Sequence, residues 1–224
     1  MCGRISLAAS REVLGARFDA TAEWVEPRYN VAPGDELAVL TGEESDRVTG
    51  VEWGLVPEWV DDPASFGAPI NARSETVAEK PTFREAYRSR PCLVLVDGFY
   101  EWRQGRGASQ PYRLTLRDGE PFALAGVWER HPEAGRTVTV LTTTANGLVD
   151  EIHGRMPVML DRSEERTWLT AGPEARTELL DPFPADRMRS YPVSTAVNDP
   201  TNDSPELLEP VDVGRQSGLG DFAG

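Results

Sequence analysis

Between residues 92 and 143, five runs rich in β-branched, aromatic and aliphatic side chains follow one another, at 92–96, 99–102, 112–116, 122–128 and 137–143. Runs of this length and composition, separated by short turn-forming stretches, read as β-strands. Two more alternate like strands at 37–40 and 48–53, across the turn-rich 41–46. Helical patterns are short and peripheral. Ser10 caps the segment ending at Phe18, Pro81 opens a helix through Tyr87, and 163–169 and 174–180 read as surface helices. A Pro-, Asp- and Gly-rich loop covers 57–69, and no internal repeat is visible. The expected fold is therefore α+β, a single mixed domain over residues 1–212 dominated by antiparallel strands with a few peripheral helices. Residues 213–224, polar and Gly-rich, are expected to form a flexible C-terminal tail.

Composition narrows the function classes. No apolar run approaches membrane-spanning length, and no basic stretch followed by an apolar core opens the chain. Cys2 and Cys92 alone make no disulfide framework, so a cytoplasmic protein with free thiols is expected. The two His and two Cys lack metal-ligand spacing, and no phosphate-cradling Gly loop appears, so neither metal nor nucleotide cofactor is expected. Net charge is −14, and Lys80 is the one Lys among 23 basic residues. An acidic, Lys-poor surface fits a salt-in halophilic prokaryote, and the overall charge argues against a nucleic-acid partner. The distribution qualifies this: segments around Arg4, Arg28, Arg73, Arg84, Arg88 and Arg90 are locally basic.

The N-terminus carries the sharpest chemistry. The chain opens Met1-Cys2-Gly3-Arg4, and removal of Met1 would leave an α-amine and a thiol on one residue. Their ordinary pKa values, roughly 7.7–8.0 and 8.5, leave both partly nucleophilic near neutrality. An amine and a thiol on adjacent carbons can trap an aldehyde twice, first as an imine and then as a five-membered thiazolidine. The plain alternative is that Cys2 is a small apolar start to a buried strand.

Three further segments set a polar residue in an apolar context: Asn71 in PINARSE, Glu101 in DGFYEW and His153 in IHGRMPV. Each has an ordinary reading, since Asn71 could cap a turn, Glu101 could pair with an Arg, and His153 could be a satisfied core histidine. A Glu between Tyr100 and Trp102 is costly to bury unless it is paired or does chemistry, and burial raises its pKa.

Taken together, MCGR at 1–4, PRYNVAP at 27–33, WGLVPEW at 53–59, PINARSET at 69–76, DGFYEW at 97–102, FALAGVWE at 122–129, IHGRMPV at 152–158 and NDPTNDSPELLEP at 198–210 resemble the SOS response-associated peptidase family. That resemblance implies a protein that crosslinks covalently to abasic sites in single-stranded DNA during the DNA damage response. It implies catalytic roles for Cys2, Asn71, Glu101 and His153. It also implies DNA contacts from Arg4, Arg73 and Arg155, with Trp53 or Trp102 as an aromatic wedge. A nucleoid-associated monomer is expected. Pro91 and Val96 depart from the family's usual Arg and Ala without touching the chemistry. Two other classes stay open: a thiol (auto)peptidase, a hydrolase using Cys2 as nucleophile, and a non-catalytic module that binds single-stranded DNA with Cys2 inert.

Overall fold

A computed structural model describes residues 2–105 and 109–213. The tail expected at 213–224 lies outside the described residues beyond position 213. The strands sort into two sheets. In the first, the order β13-β8-β7-β1-β2 joins β1 (Ile5–Leu7), β2 (Arg28–Val31), β7 (Gly98–Arg103), β8 (Gln110–Leu116) and β13 (Met188–Pro192). In the second, β3 (Glu36–Thr41), β4 (Thr49–Trp53), β6 (Pro91–Val96), β9 (Phe122–His131) and β10 (Gly135–Thr144) pair in a closed ring, β10-β4-β3-β6-β9 and back to β10. Closure leaves the small barrel without open edges. The α+β expectation, strands dominant and helices few, is borne out.

The apolar run at 92–96 explains how the layers stack. Cys92, Val94 and Val96 join one core cluster with Phe99, Leu114 and Trp53, while Leu93 and Leu95 join a second with Leu14, Tyr87 and Trp168. Both faces of β6 are buried, so the strand reads as continuous hydrophobic sequence. The helices cover the second cluster. In α1 (Arg11–Phe18) the Ser10 side chain accepts from Val13 N–H. In α3 (Glu165–Thr170) the Trp168 indole donates to the Cys92 carbonyl at 2.9 Å. Two boundaries differ from the sequence expectation. Helix α2 (Arg84–Ser89) starts three residues after Pro81, with Phe83 buried at its entry. Helix α4 (Pro173–Thr177) stops before Leu180, which turns inward and is buried. Nor are α3 and α4 simple surface helices, since Glu165, Trp168 and Arg176 are buried.

Strand β10 matters most for the site, because it outruns the barrel. Its first half pairs with β9 on one edge and with β4 on the other. Past Val140, the edge left by β4 is taken by β5 (Asn71–Arg73), running parallel. The edge left by β9 is taken by β11 (Arg155–Pro157), running antiparallel, and β12 (Met159–Leu160) then pairs with β9. One extended strand thus carries the PINARSE and IHGRMPV segments on its two edges.

The first sheet brings the N-terminus to the same place. Strand β1 lies between β7 and β2, with Ile5 opposite Phe99 and opposite Val31. Tyr100 N–H donates to the Arg4 carbonyl at 2.9 Å, continuing the pairing toward Cys2. The Asp97-Gly98 turn into β7 is locked from below. Asp97 accepts from Ser6 Oγ at 2.6 Å, Ala8 N–H at 2.6 Å and the buried Arg113 guanidinium at 2.8 Å. Gly98 is required there, because a Cβ would sit 2.8 Å from Arg113 Nε.

Candidate active site

Cys2 is fully buried, and the Asn71 side-chain amide donates to its carbonyl oxygen at 2.7 Å. Asn71 is presented by β5, whose approach is fixed by Trp53: the indole N–H donates to the Ile70 carbonyl at 2.9 Å. Asn71 Oδ1 is buried and has no hydrogen-bond partner among the described residues. Glu101 lies on β7 with the register that puts it on the Phe99 face, where Cys2 also packs, and it is 2% exposed. Burial raises its pKa, and the charge of His153 is among the influences pulling it back. Burial likewise pushes up the Cys2 thiol, and the negative charge of Glu101 pushes it further. The thiol therefore rests protonated beside a carboxyl group that itself holds a proton more tightly than usual.

His153 sits in the turn before β11. Its Nδ1 lies 3.0 Å from the Arg155 N–H and 3.1 Å from the Arg155 carbonyl. The neutral ring can accept from the N–H, while the protonated ring can donate to the carbonyl. Either way the Arg155 backbone holds this nitrogen and fixes the ring. The electrostatic links from Cys2 to Glu101 and from Glu101 to His153, together with the Asn71 bond, bring the four residues into one cluster.

The residues expected to contact DNA divide. Arg73 is exposed on β5. Arg4 is half-buried: its Nη1 donates to Asn30 Oδ1 at 2.7 Å and to the Val197 carbonyl at 2.6 Å, and its guanidinium lies 6.0 Å from the Trp102 ring centre. Arg155 donates to Glu75 through both terminal nitrogens, at 2.5 and 3.0 Å, and to the Thr142 carbonyl at 2.5 Å. Trp102 is half-buried, its indole donating to Asn198 Oδ1 at 2.7 Å. Trp53 requires a correction. It is 1% exposed and packed in the core, so it offers no face to a base; its work is to hold the Ile70 carbonyl.

Asn30 went unremarked in the sequence, although the alternation in RYNV and its place in PRYNVAP were the available signals. It is fully buried, accepting from Arg4 and donating to the carbonyls of Asn202 at 2.7 Å and Asp199 at 3.0 Å. Asp203 completes the clasp, accepting from the backbone N–H groups of Tyr29 at 2.5 Å and Asn30 at 3.0 Å. The NDPTNDSP segment thereby straps the sheet that holds Arg4. Among the described residues no group of three His, Cys, Asp or Glu could hold a metal ion, and no helix is long and apolar enough to cross a membrane.

The family model described as SOS response associated peptidase (SRAP) matches residues 1–200. The chain is 38% identical over 222 residues to abasic site processing protein YoqW of Bacillus subtilis, covering 93% of this chain and 99% of that protein. It is 33% identical over 227 residues to abasic site processing protein YedK of Escherichia coli, covering 94% and 100%. A crystal structure of a protein from Bacteroides thetaiotaomicron matches with a TM-score of 0.84 at 27% identity, covering 94% of this chain and all of that one. With the family model spanning most of the chain and these relatives matched along nearly their whole length, this chain belongs to the SRAP family.

Proposed function

We propose that this protein processes abasic sites in single-stranded DNA by bonding covalently to them through Cys2. The observation that supports this most strongly is the seating of Cys2, its carbonyl held by Asn71 beside the buried Glu101. Removal of Met1 is required, because only then is the Cys2 nitrogen an amine. His153 moves the proton that opens the closed sugar to its aldehyde. The amine attacks C1′ to give a carbinolamine. Glu101, whose pKa is raised by burial, donates a proton to the departing hydroxyl, which leaves as water, and its carboxylate takes the nitrogen proton back as the imine forms. The thiol then adds to C1′; the S–C bond forms, the S–H proton passes to the imine nitrogen, and the thiazolidine closes. Asn71 orients the Cys2 main chain, leaving Oδ1 to accept from the amine or the carbinolamine hydroxyl.

Arg4, Arg73 and Arg155 hold flanking phosphates in this reading, and Trp102 offers a stacking surface. The protein acts as a cytoplasmic monomer on nucleoid DNA, and its −14 charge suits molar intracellular salt. A thiol peptidase would need a Cys2 thiolate. The upward push on the thiol favours instead an order in which the amine reacts first and the thiol follows.

The test is an oligonucleotide with one abasic site, incubated with protein whose mass confirms loss of Met1. A heat-stable adduct should appear on a denaturing gel without any reductant, at the summed mass less one water. Cys2→Ala should form none, and Cys2→Ser at most a labile imine. Full heat-stable adduct from Cys2→Ala would overturn the assignment.

A further inference from the structure

Two of the reacting groups, Asn71 and His153, sit on or beside separate short strands, each paired with the outlying end of β10. Backbone pairing there is brief, three residues on each edge. A side-chain bridge spans the gap. Glu75 lies four residues beyond Asn71, and Arg155 two beyond His153. Their contact is bidentate, Nη1 to Oε1 at 2.5 Å and Nη2 to Oε2 at 3.0 Å. Arg155 Nη2 also reaches the Thr142 carbonyl at 2.5 Å and Thr142 Oγ1 at 3.2 Å, so the bridge is bolted to the strand between them. The same Thr142 carbonyl accepts from Ser74 N–H at 2.8 Å, one residue before Glu75. The arginine backbone holds His153 Nδ1, so a shift of Arg155 moves the imidazole directly.

We propose that Glu75 is a positioning residue for the crosslinking reaction: its fork on Arg155 fixes the His153 turn relative to the Asn71 strand. This rests on the covalent reading above. Planar, two-point pairing transmits orientation as well as attraction, and a single point charge would not. Arg155 hydrogen bonds hold the Glu75 carboxyl below the ordinary carboxylate range, so the fork stays ionised across the working pH. Glu75 also has a cost to DNA binding. Its charge cancels that of Arg155 on a surface that has to approach phosphates, where an uncompensated cation would attract.

These two effects have opposite signs, and that separates positioning from simple support. Glu75→Ala should slow single-turnover adduct formation by roughly tenfold, the scale of loss from a reacting group held slightly out of place. It should leave affinity for undamaged single-stranded DNA equal to wild type or higher. Glu75→Gln, which keeps one acceptor for the fork, should recover part of the rate. The experiment measures both quantities for wild type and both variants, with circular dichroism melts to establish folding. Wild-type-like rates in Glu75→Ala would overturn the proposal, as would parallel loss of rate and of binding in a folded variant. Should Glu75→Ala fail to fold, the Glu75→Gln rate and affinity decide alone: a slower rate with undiminished affinity upholds the proposal, and an unchanged rate overturns it. If wild type itself forms no adduct, the covalent reading fails first, and that outcome is distinct from either.

Discussion

Replacing Asn71 tests the seating of Cys2 most directly. The Cys2 carbonyl is buried and accepts the Asn71 amide at 2.7 Å, so Asn71→Ala strands a buried acceptor. Leaving such a group unpaired costs about 1–3 kcal/mol. If that penalty falls on the reactive placement of Cys2, the rate drops roughly tenfold to a hundredfold, since each ~1.4 kcal/mol is a factor of ten. Asn71→Asp should be worse. It keeps the shape but turns an oxygen toward the carbonyl oxygen, and it adds negative charge to a cluster already holding Glu101. The assay is single-turnover adduct formation on an end-labelled abasic oligonucleotide, with reversible affinity measured in parallel on an uncleavable abasic analogue. Affinity should stay within about threefold, because the bond lost is internal to the protein. If Asn71→Asp crosslinks at more than a third of the wild-type rate, the Asn71 bond does not position Cys2.

Two other outcomes follow from charge. Glu101 has a folded-state pKa raised by burial, so its contribution to stability is complete below its unfolded value, about 4.3, and is lost as pH rises through the raised folded value. Glu101→Gln should therefore gain melting temperature relative to wild type at pH 7 and gain little at pH 4; an equal gain at both would refute a raised Glu101. Reversible binding to single-stranded DNA should show a shallow salt dependence, a log–log slope of about −1.4 to −2.1 for two or three phosphate contacts, with crosslinking persisting in molar KCl; a much steeper slope would assign binding to a larger basic surface.

The sequence made the long strands plain and hid the short ones. Strands β6, β9 and β10 carry their own apolar pattern, so pairing only confirmed what each run already implied. Strands β2, β5, β11 and β13 are three to five residues long and exist because of partners far away in the chain, which no local window contains. The site divides in the same way. Cys2, Asn71, Glu101 and His153 stood out as polar or reactive groups in apolar surroundings. The residues that hold them did not: Asn30, Asp97, Arg113 and Glu75 look like ordinary surface polar groups until the fold pairs them. Trp53 misled for a related reason. An aromatic in a motif beside a reactive segment suits either stacking or propping, and only its burial and its bond to Ile70 decide.

The proposed reaction at the N-terminus sets a structural problem that this architecture answers. Chain ends fray unless they are tied down, and a nucleophile on a fraying end would meet its electrophile only at random. Here β1 is an interior strand, paired to β7 on one side and to β2 on the other, only three residues after Cys2. The pairing anchors the terminus in the direction along the sheet, and the Asn71 bond to the Cys2 carbonyl anchors it from the other sheet. Both anchors act on backbone atoms and so suit the proposed reaction, in which the amine and the thiol of Cys2 form the new bonds. Glu101 comes from β7, the strand that sets the register of β1, so Glu101 and Cys2 are placed by the same hydrogen-bond ladder. Asn71 on β5 and His153 before β11 are placed by the pairing of those strands with the outrunning end of β10, in the other sheet. The cluster therefore forms where the two sheets meet, and its geometry depends on how they pack. Phe99, Val140 and Met156, buried in the shared core, fix that packing. Truncating any of these buried side chains to Ala should slow adduct formation, measured in single turnover on a variant shown by its melting curve to be folded.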